Sequence, residues 1–441
     1  MAGTTLKLSR REAVGAFLSV AGAIGTRGSA AWAEKTRPRL AVGGRPVGVG
    51  TATRDYRTRL MHELMDREQL DGLAFSSSDY FRFATNFDMD VSGFERPSLC
   101  VIPRNGKPFV TLHELSTNHW RLSTEAQRVW VSDASFYSEH PRVRQRLPLT
   151  PQWPEMVAAK LEEVGLHRAR LGTDGGLLAR VAQLLPHLRI ESVERQCQRL
   201  RWIKHEEELA VMREAAALAD WTQERYRENI RPGRLVTDLD MSMAALMAQE
   251  AARRMPGTDL AIYCWTVSGP VSASPHGVSA FGNLAGATIE KGHVLVNSVY
   301  PAIDGLFVEN ERTWFCGKPS KRQIQLFEAA RAANEAACEA AITGRPVWAI
   351  DAAAQDALER AGVADLICHR TGHGLGLGGH DFPVDMALNN SPLQDRMVFS
   401  VEPGVYEFGL GGFRHDDTVV VGAKPAILTT TPKNLASQTI S

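Results

Sequence analysis

Several apolar, strand-like runs in the last third of the chain carry a charge at or near one end, and a buried strand does not keep a bare charge without a partner or a cation. The charged runs cover residues 306–315, 397–401 and 413–421, and an uncharged strand-like run covers 294–299. Glu309 and Glu311 hold alternate positions of 306–315, Glu402 follows 397–401 ahead of Pro403-Gly404, and Asp416 stands near the start of 413–421. Residues two apart on a strand face the same way, so Glu309 and Glu311 repel each other unless a cation, a shared proton or Arg312 compensates. The acids therefore favour a fold that gathers these strands around something positive.

Imidazoles accompany the acids. His373 and His380 bracket a stretch in which four residues are glycine, and His276 follows Ser274-Pro275 in a loop. A glycine-rich stretch lets backbone approach a ligand closely. A phosphate loop would need a strand before it, a helix after it and a Lys-Ser/Thr pair, none of which is evident. Carboxylates from separate strands with an added imidazole form an oxygen-rich set suited to a hard divalent cation such as Mn²⁺ or Mg²⁺.

The chain of 441 residues is long enough for two or three domains. Residues 1–33 read as a twin-arginine (Tat) leader: Arg10-Arg11, an apolar stretch over 13–24, then Ala31-Trp32-Ala33 as a cleavage site. A periplasmic or secreted location is expected. Residues 34–55, rich in Gly, Arg and Pro, read as an extended arm. Residues 56–197 read as an α/β domain, with helical patterns over 57–69, 156–164 and 176–185, a buried strand at 72–75, and a hairpin around Asn105-Gly106. Residues 198–430 read as the second domain, with helical patterns over 205–229, 237–254, 321–341 and 350–361, and 431–441 as a tail. Glu206, Glu207 and Glu208 load the first turn of the 205–229 helix, where the helix dipole favours negative charge. Lys+Arg and Asp+Glu both number 50, which gives no support for a nucleic-acid partner. No apolar run reaches the ~20 residues that span a bilayer, so no membrane association is expected once the leader is removed. The six cysteines are scattered without a C-x-x-C pair and are expected to be buried thiols.

Three stretches resemble the signatures of the M24 family, the Xaa-Pro peptidase/creatinase group: residues 368–383 (CHRTGHGLGLGGHDFP), 397–405 (MVFSVEPGV) and 412–420 (GFRHDDTVV). Residues 199–204 (RLRWIK), followed by an acidic helix, resemble the usual entry to that family's catalytic domain. The resemblance implies an α/β (α+β) chain: a pita-bread catalytic domain behind a smaller creatinase-type N-terminal domain. It implies hydrolysis of a peptide or amidine-type C–N bond in a small substrate or dipeptide bearing a carboxylate, and a homodimer. Carried over position by position, the family's metal ligands fall on Glu309, His373, Glu402 and Asp416. A fifth falls on Asn297, or on Ser298 if a one-residue insertion lies elsewhere. A neutral residue there leaves two metals, one or none open.

The metal-free branch typified by creatinase is also similar. Its substrate-carboxylate pair resembles Phe94 and Arg96, its catalytic histidine falls on His276, and its strand motif resembles residues 311–316. On the metal reading a cation, Mn²⁺ or similar, activates water, Glu402 shuttles the proton, and His276 and His380 steady the oxyanion. On the metal-free reading there is no cofactor, His276 is the acid/base, and Glu311 and Glu402 orient substrate and water. A protein that keeps the fold and binds without catalysis is the alternative from another class.

Overall fold

The computed structural model describes residues 48–89, 95–138, 152–280 and 282–440. The leader, most of the expected arm and Phe94 lie outside the described residues.

The N-terminal part runs α1 (Thr51–Glu68), β1 (Gly72–Phe75), α2 (Ser78–Thr85), β2 (Leu99–Pro103), β3 (Phe109–His113), α3 (Thr117–Glu125), β4 (Asp133–Tyr137), α4 (Gln152–Glu163), β5 (Arg170–Thr173), α5 (Ala179–Leu184), β6 (Arg189–Ser192) and the short α6 (Glu194–Cys197). Its six strands form one sheet in the order β4-β3-β2-β1-β5-β6. The expected hairpin is present as β2 and β3, with Gly106 at φ 121°, a backbone region that L side chains rarely adopt.

Helix α1 begins at Thr51, inside the stretch expected to be an extended arm. The reason lies far along the chain. The Glu207 carboxylate accepts from the Gly50 and Thr53 amides, at 2.9 and 3.0 Å, and from Thr53 Oγ1 at 2.6 Å. These are amides that a helix N-terminus leaves without partners. The cap comes from the other domain, so no local pattern could show it.

The second domain starts with α7 (Glu206–Asn229) and α8 (Val236–Arg254). A capping box begins α7: Glu208 Oε2 accepts from the His205 amide at 2.7 Å while the His205 ring accepts from the helix backbone. Next come β7 (Leu260–Ser268), β8 (Val294–Ile303), β9 (Leu306–Phe307), β10 (Asn310–Cys316), α9 (Lys321–Ala340), α10 (Trp348–Arg360), β11 (Gly372–Gly374), β12 (Val398–Val401), β13 (Gly404–Glu407), β14 (Gly411–Arg414), β15 (Asp416–Val420), β16 (Ala426–Ile427), α11 (Leu435–Gln438) and β17 (Thr439–Ile440). The main path of the large sheet is β11-β12-β15-β10-β8-β7, and β13 pairs with β14 in a separate ribbon. One apolar core joins α7 and α8 to the N-terminal domain through residues such as Leu64, Phe81, Met212 and Met243. A second lies under α9 and α10 around Phe327, Ile350, Phe399 and Val419.

Three expectations change. The runs at 306–315 and 413–421 are each broken in two, which leaves Glu309 just ahead of β10 and Asp416 at the start of β15. The expected tail is built into the domain: β17 pairs with β10, and Lys433 reaches Asp417 and Asn334 at 2.5 Å each. Five cysteines are buried thiols as expected, whereas Cys368 is exposed. Among the described residues no helix is long and apolar enough to cross a membrane.

Candidate active site

Strand register brings the acids together. Trp265 lies opposite Ser298, Ser298 opposite Glu311, and Glu311 opposite Asp416. Directly opposed residues project to the same face, so these four form a row across β7, β8, β10 and β15. A second row pairs His373 with Ser400, and Ser400 Oγ donates to Asp416 Oδ1 at 2.8 Å. Glu402 follows β12 and is tied by its amide to Thr371 O at 2.6 Å. Gly372 permits β11 to lie this close: a Cβ there would meet Ser400 O at 1.9 Å. Gly372, which precedes the His373–His380 stretch, thus serves strand–strand approach.

Beside these groups lies a cavity of ≈ 560 Å³. Glu309, His373 and Glu402 line it together with His276, His380 and the aromatic rings of Tyr263, Trp265, Tyr300 and Phe307. His380 stacks on His373 with ring centroids 3.8 Å apart, and His276 meets Trp265 edge-on at 6.4 Å.

The electrostatics are one-sided. Burial, followed by the neighbouring charges of Asp416, Glu402 and Glu311, pushes Glu309 well above the usual carboxylate range. Burial and then Glu311 and Glu402 do the same to Asp416. Burial, opposed by Arg414 and assisted by Glu311, lifts Glu402 to about 8. One buried cation faces the acids directly. Arg414 forms an ion pair with Glu311, with Nη2 donating to Oε1 at 2.6 Å, and its Nε lies 3.9 Å from Glu402. Burial lowers the Arg414 pKa, but Glu311 outweighs it and holds the guanidinium charged.

His373 shows most directly what the site can hold. Burial, then His380, drops its pKa to about 3, so the ring is neutral. Nδ1 lies 3.0 Å from Gly374 O, which can only accept, so the single ring proton is on Nδ1. The bare Nε2 then faces Glu309 Oε2 at 3.6 Å and Glu402 Oε1 at 3.5 Å. Neither contact is a hydrogen bond, and an unprotonated imidazole nitrogen beside two carboxyl groups is a donor set that suits a cation. Nearby, Glu311, Glu402 and Asp416 each offer an oxygen within 4.8 Å of the others, and buried Asp416 Oδ2 has no hydrogen-bond partner. The donor set fits a divalent metal.

Of the expected ligands, Glu309, His373, Glu402 and Asp416 converge. Asn297 does not. It lies opposite Thr266 and Arg312, one residue out of step with the Trp265–Ser298–Glu311 row, so its side chain projects to the other face; its backbone carbonyl accepts from Gln223 Nε2 on α7. Ser298 takes the site position. His276, His380 and Glu311 are at the site as expected. Arg96 is not among the residues lining the cavity, and its Nη1 pairs with adjacent Glu95 at 3.1 Å.

The sequence reading passed over Arg414, Tyr300, His369, Arg370 and Tyr406. Arg414 and Tyr300 stand two residues from Asp416 and Ser298, a spacing that could have drawn attention to both. His369, lowered to about 4 by burial and then by Arg414, bonds Tyr406 Oη at 2.8 Å. Nothing in its motif marks it beyond its place in the signature.

Comparison with known proteins gives the family. Residues 210–423 match the model for metallopeptidase family M24. The chain is 30% identical over 340 residues to the probable dipeptidase PepE of Mycobacterium tuberculosis, covering 76% of this chain and 83% of that one. It is 31% identical over 239 residues to the Xaa-Pro dipeptidase of Pyrococcus furiosus, covering 54% of this chain and 65% of that one. The crystal structure of dipeptidase PepE from Mycobacterium ulcerans superposes with a TM-score of 0.71 at 25% identity, covering 89% of this chain and 99% of that one. The buried acids, the neutral imidazole and these matches converge on one assignment: the chain belongs to metallopeptidase family M24 and is a hydrolase of peptide C–N bonds.

Proposed function

We propose that the protein is a metal-dependent, Xaa-Pro dipeptidase-like enzyme. The observation that carries this is His373 Nε2, bare and buried, facing Glu309 and Glu402. Glu309, His373, Glu402 and Asp416 would hold the metal. A divalent cation there supplies a water of lowered pKa and polarises the scissile carbonyl.

The chain's own groups do the rest. The Glu402 side chain is 16% exposed, against 7% for Glu309 and 0% for Glu311, so it is the acid best placed to take a proton from water and pass it to the leaving nitrogen. His380 and His276, on the cavity wall, can donate to the developing oxyanion. The rings of Tyr263 and Trp265 offer an apolar wall for the substrate side chain. Arg370 also lines the cavity and acts electrostatically on Glu402, His373 and His380. It takes over the role first expected of Arg96: a cation for the substrate carboxylate.

The metal-free alternative draws on Ser298 standing where the family has an acid, and on the Arg414–Glu311 pair. Metal analysis of purified protein, paired with turnover of Xaa-Pro dipeptides and creatine, separates the readings. Metal-bound protein that cleaves dipeptides, stops with a chelator and recovers with Mn²⁺ supports the dipeptidase. Full activity without metal and indifference to chelators overturn it, and a dipeptide recovered intact from a tight complex points to binding without catalysis.

Residues 1–33 support a further part of the proposal, export through the Tat pathway to a site outside the cytoplasm, and the likeness to M24 enzymes supports a homodimer. Cell fractionation and solution mass of the mature chain test these two points.

A further inference from the structure

A metal site built from Glu309, His373, Glu402 and Asp416 leaves one buried acid, Glu311, without a role of its own. Its surroundings give it one. Glu311 is wholly buried on β10, directly opposite Ser298 of β8, and Ser298 Oγ donates to Glu311 Oε1 at 2.5 Å. Tyr300, two residues along β8, also donates to that oxygen, and Arg414 forms an ion pair with the same carboxylate. Three neighbours therefore hold the Glu311 head group, and they hold it where one of its oxygens lies within 4.8 Å of oxygens of Glu402 and Asp416.

A glutamate present only to neutralise Arg414 would leave the rest of this pocket unexplained. Asp416 is fully buried, with Oδ1 on Ser400 and Oδ2 without a partner. His373 Nε2 in turn lies 3.6 Å from Glu309 Oε2 and 3.5 Å from Glu402 Oε1. Glu402 is common to both groups. Two neighbouring sets of lone pairs sharing one carboxylate form the arrangement expected of a bridged pair of cations.

We propose that Glu311 is a metal ligand and that, with Glu402 and Asp416, it completes a second cation position beside the one at His373. The acid absent from Ser298 has in effect been moved across the strand pair. Opposed residues share a face with neighbouring Cβ atoms, and the extra methylene of glutamate lets a carboxylate rooted on β10 reach toward the space that a shorter acid on β8 would serve. Ser298 remains as a hydrogen-bond donor that orients the carboxylate, the kind of support that ligating carboxylates receive from their surroundings.

This inference rests on the metal-dependent reading above, and the test separates the two. Metal-stripped protein is titrated with Mn²⁺ by calorimetry, and bound metal is counted by mass spectrometry. The EPR spectrum reports whether the ions are coupled as a pair. Wild type is expected to bind about two ions per chain with a coupled spectrum. Glu311→Gln, close to isosteric, is expected to bind about one, with an isolated-ion spectrum.

Glu311→Thr should behave the same way, and the double variant Ser298→Asp/Glu311→Thr, which moves the acid back across the pair, should regain the second ion. A purely structural role for Glu311 would not predict that rescue. The circular dichroism and Tm of each variant confirm folding, and the rescue comparison stands if the Gln variant does not fold. Unchanged stoichiometry and affinity in folded Glu311→Gln overturn the inference, as does a folded double variant that stays at one ion. No Mn²⁺ bound to wild type would instead sink the metal-dependent reading itself.

Discussion

Asp416 and Asp417 are neighbours on β15, both fully buried, yet they sit in opposite electrostatic worlds. Asp417 faces Arg312 at 2.8 Å and Lys433 at 2.5 Å, and Thr429 donates to it at 2.8 Å. Burial alone would raise its pKa, but the two cations outweigh burial and hold it below the usual range. Asp416 faces Glu311 and Glu402, one of its oxygens is unpartnered, and it is pushed well above that range. A one-residue step along a strand separates a charge the fold has neutralised from a charge the fold has left for something else. Burial of an acid therefore does not by itself mark a functional group; a missing countercharge does.

Breaking each side in turn should give opposite phenotypes. Asp416→Asn is expected to cost at least ~10³-fold in kcat/KM, a loss of several kcal/mol of cation-borne transition-state stabilisation, while the metal-free protein keeps or gains stability because a repelling charge is gone. Asp417→Asn should do the reverse. Leaving Arg312 and Lys433 with a buried uncharged partner is expected to cost about 3–5 kcal/mol in unfolding free energy, with the activity of folded molecules near wild type. Denaturant titration and initial rates on both variants check this, and matching phenotypes would dissolve the distinction.

A smaller effect is expected at the rim of the cavity. Arg370→Ala should raise KM for dipeptides ~10- to 100-fold, the size of a lost hydrogen bond to a charged group, with kcat less affected. A substrate whose carboxylate is amidated should be insensitive to the change. Equal losses on both substrates would assign Arg370 to structure rather than recognition.

The smallest effect lies in the pH response. Glu402 rises from its ordinary 4.5 to about 8 in the metal-free fold. The native state therefore holds a proton that the unfolded chain releases in that window, so the stability contributed is full below pH 4.5 and is lost as pH rises toward 8. Metal-stripped protein should show a Tm that falls by a few degrees between about pH 5 and 8. Mn²⁺ loading should flatten or reverse the trend, since the ion favours the ionised acid. The Asp417 side contributes the other sign: stability present at neutral pH and lost on acidification.

Much of the site was legible because its residues announce themselves locally. Glu309, His373, Glu402 and Asp416 each lie beside an apolar run or a glycine-rich turn, where a charge or an imidazole is out of place unless it has work to do. Long helices such as α7 and α8 were legible for the same reason, since periodicity and end signals are properties of short windows. What stayed hidden depended on partners distant in sequence. The start of α1 is set by Glu207, some 150 residues away, and β7 was passed over although it supplies the Tyr263 and Trp265 wall.

The sequence by itself determined which acids and imidazoles the chain would have to reconcile, the family it resembles and the strands that carry them. Only the tertiary structure decided that Ser298 rather than Asn297 faces the acids, that Arg414 meets Glu311, and that Asp416 and Asp417 part ways. The physical reason is the two-residue period of a strand. A shift of one position reverses every side chain, and that register is fixed by cross-strand hydrogen bonds and packing rather than by any residue's own identity.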